Sequence, residues 1–405
     1  MANFAGLRGT GSFGTGERPQ DFREMILWTN PNGTAPLFAL SAKMKKESCD
    51  DPQIHWWEET NTVGVATVNG ALTSGATTCV VDAASGDTGG ALQFLPGDLL
   101  LVDEDPTSYA AANIEIVRVS AVASDTSMTI VRGAAGTTAA AIGDGAGLTR
   151  IGSMHEEGSG APNTASSNPT KYTNYTQIFK TAYELTGTAE QTYFRTGDPL
   201  KNDQIRKSFV HSEKIEQAML FGIASEATGA GGQPERTMGG ISEMVTSNRT
   251  VFAADPTITT FINALSPVYD YEAGSAGNER IIYAGNGAIN FLNSLVASDS
   301  STRINYDGEI KLYGQILRKF SIPQGSFAIK SHPLMNVHPL YTYSMFIVNP
   351  AGLVYRPLKN RDTKIQKNIQ ANDEDKRKDQ WLTECTLELH YERSFGYIGG
   401  FKDWP

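Results

Sequence analysis

The sequence contains few cysteines, and they lie far apart. Its 405 residues include three cysteines, Cys49, Cys79 and Cys385, and no Cys-x-x-Cys pair. An odd number of widely spaced cysteines argues against a disulfide framework and against a zinc site with closely spaced ligands. The pattern fits a chain that folds in a reducing compartment.

Long apolar runs are also missing. No run of apolar residues approaches the ~18 needed to span a bilayer. The first twenty residues, MANFAGLRGTGSFGTGERPQ, contain no apolar core of a secretory signal. We therefore expect no secretory signal and no membrane partner.

Positive charge is scarce. Charged residues make up 19% of the chain, below the usual ~25%, and 34 Lys and Arg face 44 Asp and Glu, a net charge of -10. A protein whose main task is to bind nucleic-acid phosphates needs a basic surface, so this composition argues against that task. With 40% hydrophobic residues the chain can still bury a large core, over two or three domains or one elaborate domain.

Familiar catalytic motifs are absent. The sequence has no Gly-Lys phosphate loop, no G-x-S-x-G elbow and no H-E-x-x-H helix. One G-x-G-x-x-G match, at Gly9, Gly11 and Gly14, has no strand before it, and a flexible arm is the better interpretation. We predict no catalytic residue, no cofactor and no metal. Two histidines close to carboxylates leave a weak metal alternative: His55 near Glu58 and Glu59, and His155 beside Glu156 and Glu157.

Residues 1–36 are rich in glycine, with prolines at positions 19, 31 and 36. Their main apolar cluster is Met25-Ile26-Leu27-Trp28. Such a segment predicts an extended arm held by another subunit rather than by its own core.

Residues 61–150 differ sharply in composition from both flanks. They contain no lysine, three arginines and nine acids, a local net charge of -6. Short β-branched or apolar runs alternate with turn sequences such as Pro96-Gly97 and Gly143-Asp144-Gly145. This pattern predicts a small β-sandwich or barrel inserted into the rest of the chain.

A long amphipathic helix is predicted from Pro199, with Asp198 as its N-cap. It should end near Gly229. Glu216 falls inside the apolar arc, where an ionised carboxylate needs a partner. A structural ion pair and a catalytic acid are the two interpretations of Glu216, and the absence of a neighbouring nucleophile favours the first. The arc consists of Ile205, Phe209, Ile215, Met219, Leu220 and Ile223.

Beyond this helix, residues 256–376 alternate between helical and strand patterns, which predicts a mixed lobe. The stretch 359–379 is strongly charged. Residues 381–391 then alternate as a half-buried strand, which should share a core with the long helix and enclose the mixed lobe.

Trp56 and Trp57 are adjacent, so in a strand they point to opposite faces. One can pack within its own subunit, whereas the other should meet a neighbouring subunit. The alternative is that both cover the base of the inserted lobe.

This order of parts resembles the major capsid protein of tailed bacteriophages, the Hong Kong 97-type fold, in a branch with a β insertion in the E-loop. Arg132-Gly133 followed by Gly136-Thr137-Thr138-Ala139 resembles β-modules common in phage virion proteins. The other stretches that carry the resemblance are His55-Trp56-Trp57-Glu58-Glu59, Arg150-Ile151-Gly152, Glu156-Glu157-Gly158, Asn174-Tyr175-Thr176-Gln177-Ile178-Phe179, Lys214-Ile215-Glu216 and Tyr397-Ile398-Gly399-Gly400-Phe401.

The resemblance implies an α+β fold and a division of the chain. The expected parts are an N-terminal arm at 1–53, an E-loop stalk at 54–62 and 146–175, and an inserted β domain at 63–145. A peripheral domain is expected at 176–255 and 377–405, built on the long helix predicted from Pro199, which we call the spine helix. An axial domain is expected at 256–376.

The resemblance also implies the function. The chain should assemble with itself into hexamers and pentamers that form an icosahedral shell around double-stranded DNA, in the host bacterial cytoplasm, and end in the virion. Portal, scaffolding and decoration proteins are possible further partners. Two other classes stay open: a β-rich tail, fibre or adhesion component, and a hydrolase with unmarked carboxylates.

Overall fold

A computed structural model of the chain describes residues 45–59, 64–84, 89–103, 114–161, 168–194, 196–270, 279–298, 305–312, 315–322 and 324–401. Residues 1–44 of the predicted arm, including the glycine-rich match at Gly9, lie outside these residues. The described chain forms two compact units. We call Trp56–Tyr172 the barrel unit and the remainder the core unit.

Both helices and strands are present, which confirms the predicted α+β class. The described helices are Gly187–Gln191, Pro199–Phe221, Ile241–Met244, Ile258–Leu265, Asn286–Ser298 and Pro333–Val337. The described strands are β1 Gln53–Glu58, β2 Val65–Thr67, β3 Thr78–Val80, β4 Asp98–Asp103, β5 Glu115–Ser124, β6 Ser127–Val131, β7 Gly147–Ser153, β8 Thr170–Tyr175, β9 Gln177–Thr186, β10 Ser225–Thr228, β11 Pro234–Thr237, β12 Arg249–Val251, β13 Glu279–Ala284, β14 Asn305–Leu312, β15 Gln315–Ile322, β16 Gly325–Ser331, β17 Met345–Val348, β18 Leu353–Pro357, β19 Lys364–Gln366, β20 Lys376–Leu389 and β21 Gly396–Gly399.

The barrel unit is a closed six-stranded barrel in the order β2-β7-β4-β5-β6-β3. A bridge between Val68 and Val81 joins the two end strands, with backbone hydrogen bonds from Asn69 to Val80 and from Asp82 to Thr67. The interior is lined by alternate apolar residues of each strand, as the period of two requires. They include Leu100, Val102, Val117, Val119, Met128 and Ile130.

The barrel corrects one predicted boundary. Residues 147–153 were assigned to the stalk, but as β7 they pair with both β2 and β4 inside the barrel sheet. Five of the seven residues are exposed. The segment therefore lacks the apolar pattern by which a barrel strand could be recognised from the sequence. β1 and β8 form a separate two-stranded ribbon.

The described part of the core unit contains two large sheets and the small β10–β11 sheet. A seven-stranded mixed sheet has the order β12-β21-β17-β13-β16-β15-β14, and a four-stranded antiparallel sheet is built around β20, which pairs with β9, β18 and β19. Successive residues of β17 alternate between the two faces of the seven-stranded sheet: Phe346 and Val348 join the cluster around the spine helix, whereas Met345 and Ile347 join the cluster on the other face. This sheet is therefore buried on both faces.

These sheets differ from the predicted division at residue 376. β21, assigned to the peripheral domain, pairs with β17 of the predicted axial domain, and β18 and β19, assigned to the axial domain, pair with β20. A local sequence pattern cannot show which distant strands pair with each other. The sequence therefore predicts one boundary at residue 376, whereas the strands on either side of that residue are shared between the two large sheets.

The spine helix, Pro199–Phe221, starts where the sequence predicts. The Asp198 carboxylate accepts hydrogen bonds from the backbone amides of Leu200 and Lys201, at 2.9 and 3.4 Å. The predicted end near Gly229 is wrong, because the helix stops at Gly222 and residues 225–237 form the β10–β11 hairpin. A Cβ on Gly222 would lie 2.4 Å from the Met238 carbonyl oxygen, so the glycine permits the chain to return closely here.

The apolar arc of this helix is only partly covered. Ile215, Met219 and Leu220 are buried, whereas Ile205 and Phe209 are 44% and 47% exposed. The helix therefore buries its C-terminal half in the core and leaves part of the same stripe accessible.

We expect Asp198→Ala to lower the free energy of unfolding of the core unit by about 1 kcal/mol, because two helix amides lose their acceptor. Chemical denaturation of the soluble subunit measures this. Asp198→Asn keeps an acceptor oxygen and should stay close to the parent. Equal stability of the Ala variant and the parent would contradict the cap assignment.

Candidate functional site

The two tryptophans lie on opposite faces of β1. Trp56 is 9% exposed, stacks on Tyr172 at a centroid distance of 5.8 Å, and donates from Nε1 to Glu58 Oε1 at 3.0 Å. Trp57 is 62% exposed. The alternation of the strand thus leaves one large aromatic side chain in contact with water.

Glu216 lies at the centre of the core unit. It is 0% exposed, and its Oε1 lies 2.6 Å from Nε2 of His332, which is also 0% exposed. This distance is within hydrogen-bond range. His332 follows β16, so this contact joins the spine helix to the seven-stranded sheet.

Two further side chains surround this pair. The ring of Tyr283 stands edge-on to His332 at a centroid distance of 5.6 Å. Burial lowers the pKa of the Lys330 amine, and the Glu216 charge opposes that shift. A catalytic acid must reach its substrate. Neither Glu216 nor His332 is accessible, so the geometry favours a structural role for Glu216 over catalysis.

A second buried histidine, His211, connects the spine helix to the four-stranded sheet. Its Nδ1 lies 3.2 Å from Thr181 Oγ1 on β9, and its Nε2 lies 2.8 Å from Thr383 Oγ1 on β20. Burial, helped by the charge of Lys214, lowers the pKa of His211 to about 4. The folded chain therefore holds His211 neutral.

This depressed pKa predicts acid sensitivity. The unfolded chain takes up the proton near pH 6.5 and the folded chain only near about 4, so the contribution of His211 is complete above pH 6.5 and lost as the pH falls to 4. We expect a loss of roughly 3 kcal/mol over this interval. His211→Gln, unfolded in denaturant at several pH values, should show a flatter profile than the parent. Identical profiles would contradict the assignment.

The barrel contains a buried ion pair that sequence reasoning missed. Arg132 donates from Nε to Glu115 Oε1 at 2.8 Å and from Nη2 to Oε2 at 2.7 Å, and Glu115 is 2% exposed. The backbone amides of Gly133 and Ala140 also donate to this carboxylate, at 2.9 and 3.1 Å. Arg132 Nη1 donates to the Thr73 carbonyl at 2.6 Å.

This cluster explains the Arg132-Gly133 motif. Gly133 and Gly136 have φ values of +62° and +80°, and Ala135 between them has +54°, so the turn follows a left-handed path that glycine favours. Burial alone raises the pKa of Glu115, but the hydrogen bonds from Arg132 and the two amides outweigh it and the net pKa is lowered. A single acid at an inward position of a strand, two residues before Val117, is the signal that could have identified the site.

The histidines near carboxylates form no metal centre in the described part of the chain, where no group of three or more His, Cys, Asp and Glu is close enough to hold an ion. His55 instead lies 2.9 Å from Thr173 Oγ1. Among the described helices, none is long and apolar enough to cross a membrane.

The chain belongs to the SU10 major capsid protein family, whose model matches residues 7–402. It is 24% identical over 395 residues to the major capsid protein of Pseudomonas phage PaMx41, covering 93% of this chain and 87% of that protein.

Solved structures with a similar course include two phage particles. The capsid asymmetric unit of cyanophage A-1(L) is 11% identical, with a TM-score of 0.46, and covers 97% of this chain and 99% of that one. The structure of Microbacterium phage Oxtober96 is 9% identical to this chain, with a TM-score of 0.47. The match covers 95% of this chain and 96% of the Oxtober96 chain.

The family match confirms the resemblance seen in the sequence. The protein is a phage major capsid protein that assembles with itself into the shell of the virion. A tail, fibre or adhesion component is not favoured.

Proposed function

We propose that the protein builds its shell from hexamers and pentamers that enclose double-stranded DNA, and that it does so in the cytoplasm of the host bacterium without enzymatic activity. The family match over residues 7–402 carries this proposal. The net charge of -10 supports a container that contacts its DNA only non-specifically. Portal, scaffolding and decoration proteins are the further partners such a shell would use.

We also propose the Hong Kong 97-type division of labour for the core unit. The spine helix and β20 supply the peripheral part, and β13 to β17 supply most of the axial part. The structural role assigned to Glu216 belongs to this proposal, because the pair with His332 links the two parts.

Electron microscopy of the purified recombinant protein tests the assembly proposal. We expect closed shells with five-fold and six-fold capsomers. Rods, trimers or a monomer that does not associate at any concentration would contradict it.

Trp57 is the proposed contact with a neighbouring subunit. Trp57 lies on a two-stranded ribbon and is 62% exposed, so it is not packed into a core of its own subunit. Tryptophans buried at an interface often dominate the binding energy. Removal of such an anchor costs about 2 kcal/mol per contact, which is roughly 30-fold in affinity.

We therefore expect Trp57→Ala to raise the protein concentration needed for assembly by roughly 30-fold while leaving the melting temperature of the free subunit unchanged. Light scattering and calorimetry measure the two effects. Trp56→Ala is the matched control: it removes the stack on Tyr172, so it should lower the melting temperature. Unaltered assembly of Trp57→Ala would place Trp57 outside the interface.

A further inference from the structure

Residues 45–50, which we call the edge segment, lie along one side of the four-stranded sheet. Lys46 forms a parallel bridge with Tyr355 of β18. Three residues further along each chain, Cys49 forms the same bridge with Leu358. In the described residues, four backbone hydrogen bonds of 2.9 to 3.2 Å join the edge segment to β18 and to the two residues after it. Because β18 pairs with β20 on its other side, the edge segment covers the side of β18 that would otherwise be open.

Little apolar burial holds the edge segment in place. Cys49 is 3% exposed and is the one buried residue among the six. β18 beside it is buried at four of its five residues. Because apolar burial is the main term that keeps a strand in a folded core, the edge segment must be held chiefly by polar contacts.

The charges of the edge segment match those of the residues it meets. Within the described chain, three ion pairs cross from the edge segment to the residues beside it: Lys46 with Asp362, Glu47 with Arg356, and Asp50 with Lys359. The side chains of these pairs are between 21% and 79% exposed, so water and salt reach all three. The Asp362 carboxylate also accepts a hydrogen bond from the Tyr355 hydroxyl at 3.0 Å, which holds it beside β18.

Exposed ion pairs lose their attraction as salt is added. The screening length falls from about 30 Å at ~0.01 M salt to about 3 Å at ~1 M. We propose that the edge segment is an ionic clasp: its ion pairs hold it on β18 at low ionic strength, and it detaches at high ionic strength while the core stays folded. Detachment uncovers the side of β18 at Tyr355, and an open sheet edge can pair with another chain. Ionic strength would thus control whether this edge is available, in the single chain and independently of how the shell is built.

Thiol labelling of the dilute, unassembled full-length chain tests the clasp with a reporter that the protein already contains. Cys49 belongs to the edge segment, whereas Cys79 and Cys385 lie in the apolar clusters of the barrel and of the core unit. Iodoacetamide is the probe, peptide mass spectrometry separates the three cysteines, and each rate is divided by that of an unstructured cysteine peptide in the same buffer. Between about 0.02 M and about 1 M sodium chloride, we expect the labelling rate of Cys49 to rise roughly 10-fold while the other two stay unlabelled.

One substitution and its control separate the ion pairs from the backbone contacts. Asp362→Asn removes the charge that Lys46 meets but keeps an oxygen for the Tyr355 hydroxyl. We expect this variant to label faster at Cys49 in low salt and to respond less to added salt. Ser48→Ala removes an exposed hydroxyl from the edge segment and should label like the parent.

Three results would overturn the clasp. The first is a Cys49 labelling rate that does not change with salt. The second is a joint rise at all three cysteines, which would mean that the whole chain opens. The third is a salt profile of Asp362→Asn identical to that of the parent. Labelling of the unassembled chain gives these answers whether or not hexamers and pentamers form, so failure of the clasp and failure of the proposed function are distinguishable.

Discussion

Glu216→Ala is expected to lower the free energy of unfolding of the core unit by about 3–5 kcal/mol. The change removes a hydrogen-bond partner 2.6 Å from a ring that is 0% exposed, and it leaves a cavity beside His332 in the core. Denaturant unfolding of the soluble subunit measures the loss. The neighbouring Gln217 is exposed, so Gln217→Ala on the same helix is the matched control and should change stability by less than about 0.5 kcal/mol.

A double substitution tests whether the loss of stability comes from the Glu216–His332 contact itself. If the loss comes from leaving His332 unpaired, Glu216→Leu with His332→Phe should be more stable than Glu216→Ala, because a buried pair replaced as a whole by apolar side chains is often nearly neutral. Stability of Glu216→Ala equal to that of the parent would show that the contact is not structural. A double variant less stable than the sum of its single changes would show that other groups hold His332.

The other large effect is expected in the barrel. Arg132→Met should destabilise the barrel unit by about 3–5 kcal/mol, because it leaves Glu115 buried with only backbone donors and removes the hydrogen bond to Thr73. Hydrogen exchange of the barrel amides measures this locally. Arg118→Met replaces a half-buried arginine on the same strand as Glu115 and should have a much smaller effect.

The pH dependence checks the same assignment by its sign. In the parent, the lowered pKa of Glu115 means that its contribution is complete above about pH 4.5 and is lost as the pH falls through the folded pKa. Without Arg132, only the Gly133 and Ala140 amides oppose the burial that raises the pKa of Glu115, so this carboxylate should take up its proton at a higher pH than in the parent. We expect acidification to stabilise Arg132→Met relative to the parent. Parallel profiles of the two proteins would contradict the ion pair.

The Glu115 cluster holds the barrel together by joining β5, the turn after β6 and the segment at Thr73. We therefore expect loss of the pair to affect the barrel before it affects assembly.

Several features of this protein follow from the sequence alone. The Asp198-Pro199 start of the spine helix and the opposite faces of Trp56 and Trp57 both depend on a cap or a periodicity confined to a few neighbouring residues. The composition of residues 61–150 likewise predicts a small β unit, because it differs over nearly a hundred residues from its flanks. The ordered set of short motifs was sufficient to indicate the family.

Other features were decided only by tertiary structure. The sequence requires a partner for Glu216 but cannot name His332, which lies 116 residues further along the chain. It likewise cannot divide the strands among the sheets, or place the end of the spine helix at Gly222, where the returning chain comes close to the helix. Caps and periodicities act within one or two turns, whereas burial, strand pairing and ion-pair partners depend on which distant segments the folded core brings together.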